Sequence, residues 1–526
     1  MESDMSDTPL REDHLELLRR AALTEDAARP HAVQRRHDAG GRTARENIAD
    51  LVDAGTFVEY GRFAIAAQRA RRDMDDLIAN TPGDGLLAGT ARVNSALYGP
   101  ERSACAVLAY DYTVLAGTQG AVGHLKKDRL FDLIQRLRLP TVFFAEGGGG
   151  RPGDTDYPTV SSLDVPAFAL WAKLSGLVPR IAVVNGRCFA GNAVIAGTSD
   201  LIVATAHSSI GMAGPAMIAG GGLGHVDPDE VGPIAVQAPN GVVDVVVADE
   251  AEAVAVTKRL LGYFQGDTAV GACADQGMLR TMIPERARRA YPLKPIIETI
   301  ADAGSVTFLR ERFAPEMVTA LGRIEGRPVG IFGNNTMVMA GAVTAAASDK
   351  AARFLQLCDA FALPVVSLVD CPGYMVGPAA EAQALVRRAS RLLVAGAALR
   401  VPLIAVILRR GYGLGAQAMM GGSLHQPVLT VAWPGAHLGP MGLEGAVRLG
   451  LRKELAAIAD DQEREDRVRA ATAAAEDHAK ALNAATLFEI DDVIDPAATR
   501  ELIAATLPAC AGFGQDLPQR RFVDTF

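Results

Sequence analysis

Residues 401–441 read VPLIAVILRRGYGLGAQAMMGGSLHQPVLTVAWPGAHLGPM, a strand, a glycine turn and a helix start in one run. The apolar run 403–408 predicts a buried strand, the glycines at 411, 413 and 415 a turn, and the small residues 416–420 the start of a helix. A strand that stops at glycines and opens a helix leaves backbone N–H groups unpaired and aimed at whatever lies above the turn. Such a turn can hold an oxyanion. Upstream, 178–215 repeats the order: VPRIAVVNGRCFAGNAVIAGTSDLIVATAHSSIGMAGP. Pro402 follows Pro179 by 223 positions, Gly415 follows Gly191 by 224 and Gly439 follows Gly211 by 228. A nearly constant long offset means two related domains rather than a solenoid.

The repeat extends outward from the two turns. GTQGAVGHLKKDRLFDLIQRLRLP from Gly117 predicts an amphipathic helix ending near Pro140, followed by a buried strand (141–145) and the glycine run 147–150. Its twin, 333–378, puts Lys350 and Pro364 each 224 positions after Lys126 and Pro140, so the turns at 147–150 and 371–377 correspond. The openings DAGTFVEYGRFA (Asp53) and DAGSVTFLRERFA (Asp302) echo one another. Alternating helical and short apolar segments predict an α/β layer architecture. We divide the chain into domains 1–282 and 283–526, taking 266–303, with its IPERARRAYPLKP, as the connection. A charged helix is expected at 460–483, then a strand, turn and helix. The final dozen residues are expected to extend along a neighbour or to be disordered.

The chain has 526 residues, enough for two cores, with 49% hydrophobic residues and 21% charged. A net charge of −9 argues against a nucleic-acid groove or an anionic membrane surface. No apolar run reaches the ~18 residues a spanning helix needs. The acidic N-terminus lacks a targeting pattern. The six cysteines are scattered without a CxxC pair, which fits a reducing compartment and offers no zinc ribbon. The expectation is a cytoplasmic bacterial protein with no metal.

Catalytic motifs fail in turn. The sequence has no Gly-x-Ser-x-Gly elbow in a strand-to-helix context, no phosphate loop ending in Gly-Lys-Ser/Thr and no His-Glu-x-x-His helix. His124, His225 and His437 stand beside glycines in candidate turns, and lone histidines are more often structural than catalytic. The basic run 34–45 reads as a solvated face or as a phosphate contact. What remains is backbone chemistry: at 189–193 and 414–417 small residues let a ligand approach the main chain, where preorganised amides stabilise a developing oxyanion. One such turn alone is as well explained by tight packing; two at one offset favour function.

The chain resembles the carboxyltransferase (β) subunits of biotin-dependent acyl-CoA carboxylases, the propionyl-CoA and methylcrotonyl-CoA carboxylase group. The blocks that carry the resemblance are GGRTARENIADLVDAGTFVE from Gly40, GGGGR from Gly147, GRCFAGNAV from Gly186 and GRPVGIFGNN from Gly326. SDKAARFLQLCDAFALPVVSLVDCPGYMVGPAAE from Ser348, AWPGAHLGPMG and IDDVIDP continue it. The resemblance implies an α/β fold of two duplicated crotonase-like domains, each a superhelix of ββα units. It places acyl-CoA on the first domain and carboxybiotin on the second, with active sites completed across a dimer and a hexamer (trimer of dimers) as the assembly.

Carried over by position, Gly191 and Asn192 offer amides to the thioester oxygen, and Gly415 and Ala416 to the biotin ureido oxygen. Gly147, Gly148, Gly149, Gly150 and Arg151 shape the CoA side; Gln417 and Ala418 flank the biotin turn. The implied reaction moves a carboxyl group from carboxybiotin to the α carbon, or vinylogous γ carbon, of an acyl-CoA, with no side-chain base. Alternatives are a decarboxylase or transcarboxylase subunit acting on a malonyl-type thioester, and an inactive scaffolding paralogue. No Met-Lys-Met biotinyl site occurs, so a biotin carboxylase/biotin carboxyl carrier partner is expected to bring the biotin. Asn192 stands where the family commonly has a second glycine, and its side chain is expected to narrow or polarise the acyl end. Leu414, Gln417 and Ala418 also depart from the commonest pattern.

Overall fold

The computed structural model describes residues 10–157, 160–161, 163–286, 289–514 and 522–526. Two compact units divide the chain: residues 1–237 with 246–261, and 238–245 with 262–526. In the first unit the strands are β1 (Val58–Glu59), β2 (Leu86–Arg92), β3 (Ala104–Tyr110), β4 (Thr141–Phe144), β5 (Arg180–Val184), β6 (Arg187–Phe189), β7 (Leu201–Thr205), β8 (Ser209–Gly211) and β9 (Val245–Val247). The main sheet runs β1-β2-β3-β4-β5-β7-β9, and β6 pairs with β8 apart from it. β2 and β3 are antiparallel, with Leu86 opposite Tyr110; from β3 to β7 the pairing is parallel. Every residue of β4, β5 and β7 is buried. That is why these strands read as continuous apolar runs rather than alternating ones.

The second unit repeats the plan with β10 (Thr307–Leu309), β11 (Met317–Ile324), β12 (Arg327–Asn334), β13 (Val365–Cys371), β14 (Leu403–Tyr412), β15 (Leu429–Ala432), β16 (His437–Gly439) and β17 (Asp492–Val493). Its sheet runs β10-β11-β12-β13-β14-β15-β17, with β16 on the far end of β14. β5 and β6 of the first unit are fused here into the single strand β14, so the predicted strand is longer than its apolar run.

Five helices matter for the site: α1 (Ala121–Leu137), α2 (Gly191–Gly197), α3 (Ala345–Ala360), α4 (Leu385–Ala397) and α5 (Gly413–Met419). α1 ends where Arg138 turns left-handed (φ 55°) before Leu139-Pro140. α5 begins three residues earlier than the small-residue run implied, because Gly413 (φ 61°) makes the turn.

The repeated lysines have a structural reason. Lys126 on α1 donates to the carbonyls of Gly83 (3.0 Å) and Leu86. Lys350 on α3 donates to Arg310 (2.9 Å) and Phe313 (2.8 Å). Both are buried, and desolvation lowers them to about 8 and about 7. Each cation therefore knots the left-handed turns that precede its sheet, at Gly83-Asp84 and at Arg310.

Each core closes on a tryptophan. Trp171 packs against Phe131 and Phe143 and gives its indole N–H to Ile195 O (3.0 Å). Trp433 gives its own to Thr499 Oγ1 (3.0 Å). Paired donors let such rings be buried without loss.

Three readings change. Residues 266–303 are not a connection: Leu279, Tyr291, Leu293, Ile296, Ile297 and Ile300 belong to the second unit's core, and Pro295 sits in the first turn of helix Lys294–Ile300. The charged helix stops at His478, and a separate helix, Ala481–Thr486, follows. Of the last dozen residues, 515–521 lie outside the described residues. Val523 is buried, Asp524 pairs with Arg391 (2.7 Å) and Phe526 packs edge-on to Phe313, so this end lies on its own unit. Among the described residues no helix is long and apolar enough to cross a membrane.

Candidate active site

In the first unit β6 runs into α2 through Ala190, whose φ of 51° and ψ of −120° make the sharp strand-to-helix elbow that nucleophile enzymes use. The tip of this elbow is an alanine, so it has no side-chain nucleophile. Ala190 is pinned on both sides: its N–H donates to Gly211 O (3.0 Å) and its carbonyl accepts from Val194 (2.9 Å). Gly191 and Asn192 follow as the first helical residues, whose N–H groups have no intrahelical acceptor and none among the described residues. Gly191 is required by space, since a Cβ there would lie 2.9 Å from Gln119 Nε2 and 3.0 Å from the Phe168 ring.

Asn192 is completely buried, and its side chain does not enter the acyl end as expected. Its Oδ1 accepts from Gly149 N–H (3.1 Å) and Gln119 Nε2 (3.2 Å), while Nδ2 donates to Gly117 O and Glu146 O (3.4 Å each). Four bonds turn it inward as a clamp on the glycine run. A glycine at 192 could not make them.

The run itself is held by backbone. Gly147 N–H donates to Arg187 O (2.7 Å), Phe189 N–H to Gly147 O (3.0 Å) and Gly148 N–H to Ala116 O (3.2 Å). Gly149 is left-handed (φ 90°), and a Cβ there would lie 2.8 Å from that of Ala190. Gln119 N–H donates to Gly149 O (2.7 Å) and Arg151 N–H to Gln119 O (3.1 Å). The peptide groups of alternate residues face opposite sides of an extended strand, so the N–H of Gly150 points away from Gln119, and it has no acceptor among the described residues. Gly150 and Gln119 line a cavity of about 750 Å³ with His124 and Leu125. Burial and the neighbouring Lys127 push His124 down to about 3, so this imidazole is neutral.

Arg151 also lines the cavity, yet its guanidinium is committed inward. It pairs with Asp84 and donates to Thr118 Oγ1 (3.1 Å) and Thr118 O (2.8 Å). It stiffens the turn and has little left for a phosphate. Three arginines of the basic run 34–45 are likewise engaged within the unit: Arg36 bridges Glu146 (2.7 Å) and Glu250 (3.2 Å), Arg42 pairs with Asp50 and Arg45 with Glu59. Burial raises the Glu146 carboxyl against the opposing pull of Arg36.

The second unit shows the same device. Val343 N–H donates to Gly373 O (3.0 Å) and Met375 N–H to Val343 O (3.0 Å), the counterpart of the Gln119–Gly150 pairing, which leaves the Tyr374 N–H pointing away. Gly415 packs on this turn so closely that a Cβ would lie 2.5 Å from the Gly373 carbonyl carbon and 2.7 Å from Tyr374 N. The N–H groups of Gly415, in the first turn of α5, and of Tyr374 have no acceptor among the described residues. Ala416 and Gln417 line a cavity of about 490 Å³ with Gly413 and Leu438, whereas Ala418 is fully buried away from it.

Sequence reasoning put Gly413 in the turn without giving it a role of its own, and did not single out Tyr374 or Gln119. The first two stand at offsets of 223 and 224 from Ala190 and Gly150, so the repeat could have found them. Their neighbour Asp370 is fully occupied by Tyr291 (2.8 Å), Arg409 (2.9 Å) and Arg410 (2.5 Å). Both turns thus present unpaired N–H groups and small residues, with the nearby acids engaged elsewhere. This is equipment for stabilising charge on an oxygen rather than for nucleophilic attack.

Comparison with known proteins identifies the family. The carboxyl transferase domain model matches residues 35–522. The chain is 32% identical to the methylmalonyl-CoA carboxyltransferase 12S subunit of Propionibacterium freudenreichii subsp. shermanii, over 93% of this chain and 92% of that protein. It is 30% identical to the propionyl-CoA carboxylase beta chain of Saccharopolyspora erythraea, over 96% and 94%. Among solved structures, a single-chain, multi-domain long-chain acyl-CoA carboxylase matches with a TM-score of 0.90 and 55% identity, covering 94% of this chain. The chain spans about half (49%) of that protein's length. The transcarboxylase 12S structure, a hexamer, matches with a TM-score of 0.83 and 29% identity, covering 98% of each chain. The chain belongs to the carboxyl transferase family, among the carboxyltransferase (beta) subunits of biotin-dependent acyl-CoA carboxylases.

Proposed function

We propose that this chain carboxylates a long-chain acyl-CoA, taking the thioester on its first unit and carboxybiotin on its second. The observation that carries the division of labour is the pair of twinned backbone turns, each with unpaired N–H groups and neither with a side-chain nucleophile. Gly191, Asn192 and Gly150 N–H groups receive the thioester oxygen as it becomes an enolate oxygen, an effect of about 3–4 kcal/mol per well-placed donor. Gly415, Ala416 and Tyr374 N–H groups receive the ureido oxygen of biotin; the open face at Ala416 and Gln417 fits that small planar group. When bound, carboxybiotin supplies CO2 and a base for the α-proton. This chain's part is to fix both carbonyl oxygens and to keep competing nucleophiles out of the turns.

Chain length is argued from the 55% identity to the long-chain enzyme, against about 30% to the propionyl-CoA and methylmalonyl-CoA proteins. The biotinylated carrier and biotin carboxylase lie outside these 526 residues, the assembly is a hexamer like that of the 12S structure, and the setting is the cytoplasm. A panel of acyl-CoA thioesters from acetyl to C16 and longer, assayed with the cognate biotinylated carrier, tests the substrate. kcat/KM should rise with chain length; a preference for acetyl-CoA or propionyl-CoA overturns it.

A further inference from the structure

One buried cation in the first unit has no counterpart in the lysine pair that knots the two sheets. Lys127 follows Lys126 on α1 but points elsewhere, and it is completely buried. Its Nζ donates to Gln119 Oε1 (2.6 Å) and lies over the rings of Tyr110 (5.7 Å) and Phe168 (5.8 Å). It has no ion pair among the described residues; Asp128 and Asp84 act on it only at longer range. Burying a lysine without a carboxylate is costly. Burial lowers it to about 7, so the fold keeps it at the expense of stability.

The partner explains the expense. Gln119 lines the cavity beside Gly150 and passes the hydrogen-bond direction onward: its Nε2 donates to Asn192 Oδ1 (3.2 Å), which also accepts from Gly149 N–H (3.1 Å). Asn192 Nδ2 then donates to Gly117 O and Glu146 O. In its protonated form Nζ has donors only. It therefore fixes which end of the Gln119 amide faces it, and through Gln119 which end of Asn192 faces the glycine run. With either amide reversed, an NH2 would meet an N–H or a carbonyl oxygen would meet a carbonyl oxygen.

We infer that Lys127 is a positioning residue for carboxyl transfer, setting the first unit's anion-stabilising turn through the relay Lys127–Gln119–Asn192–Gly149. The inference rests on the reading given under Proposed function. It makes Asn192 the receiving end of a polar chain that begins in the core of α1.

The test uses the full chain, with malonyl-CoA as carboxyl donor and free biotin as acceptor, in wild type, Lys127→Met, Asn192→Gly and the double variant. Lys127→Met should lower kcat at least about tenfold while KM for malonyl-CoA moves less than about threefold. In the Asn192→Gly background the same substitution should cost less than about threefold, because coupled residues are non-additive. An equal loss in both backgrounds, or no loss in the first, overturns the relay. Should Lys127→Met fail to fold, Gln119→Met breaks the chain at its middle and is judged by the same split. Hydrogen exchange at 147–151 gives a readout independent of turnover. Exchange at Gly149 should rise about tenfold in Lys127→Met, and unchanged exchange overturns the relay. Wild-type chain inert with malonyl-, methylmalonyl- and long-chain malonyl-type thioesters would instead count against the functional reading, leaving exchange to decide the relay.

Discussion

Gly415→Ala adds one methyl group at the point where the second turn is tightest. The new carbon would lie 2.5 Å from the Gly373 carbonyl carbon, 2.7 Å from Tyr374 N and 2.9 Å from Gly373 Cα. Contact between carbons is comfortable at about 3.5–4.0 Å, so α5 and the Gly373 turn must part by roughly 1 Å. All three obstructing atoms are backbone, and Val343 bonds that backbone on both sides, so no side chain can swing aside. Overpacking of this kind costs about 1–3 kcal/mol of stability. A ~1 Å misplacement of positioned groups costs on the order of 100-fold in rate. Carboxyl transfer between malonyl-CoA and biotin should therefore fall about 100-fold, while malonyl-CoA binding, followed by calorimetry, stays within about twofold if the thioester binds on the other unit as proposed. Gly435→Ala, where the added methyl meets open space, should stay within about 0.5 kcal/mol of wild type. Wild-type turnover in Gly415→Ala would refute the argument, and so would a parallel loss of CoA binding.

Asn192→Asp removes the donor that faces two carbonyl oxygens and buries a charge. It should cost about 3 kcal/mol or more and lower the first unit's unfolding transition by roughly 6–12 °C in calorimetry. Asp370→Asn leaves Arg409 and Arg410 against a neutral partner at a fully buried position, and a loss of about 3–5 kcal/mol should appear as a lower urea midpoint. Lys350 supplies a pH test. Its native value of about 7 lies below the ordinary lysine value near ~10.4, so between them the unfolded chain binds more protons and stability rises with pH. The full penalty is present below pH ~7 and fades towards pH ~10, with a slope of at most about 1.4 kcal/mol per pH unit for this group. Urea unfolding from pH 7 to 9 should show that rise, to which Lys126 and Lys127 also contribute, and Lys350→Met should lower the slope by this group's share.

The duplication was legible because it rests on residues with few substitutes. Lys126 and Lys350 bind backbone carbonyls of twinned turns, and Gly415 cannot accept a Cβ, so composition and spacing record them directly. The strand at 403–408 was legible as an apolar run, but its extension to Tyr412 was not, since Arg409 and Arg410 look like solvent-facing residues until Asp370 is found opposite them. Tyr374 was invisible for another reason: it contributes a backbone N–H, and its side chain carries no trace of that. The bridge from Arg36 to Glu146 and Glu250 spans 110 and 214 residues, and no local pattern signals a contact at such range. Pro295 misled by suggesting a linker where it starts a helix, since the same residue suits both. Asn192 misled by its size: a side chain in place of a glycine suggests intrusion into the pocket, whereas four inward hydrogen bonds hold it away.

On the proposed function, two backbone turns without a side-chain nucleophile carry carboxyl groups between biotin and an acyl-CoA. The most direct measurement is the rate of carboxyl transfer to free biotin by the purified chain, with malonyl-CoA, methylmalonyl-CoA and a long-chain malonyl-type thioester, alongside its assembly state. The account predicts turnover that saturates in the thioester, requires biotin and persists in Cys188→Ala, since that buried thiol sits next to the turn without a part in the reaction. An assembled protein with no biotin-dependent turnover on any of the three thioesters would contradict it.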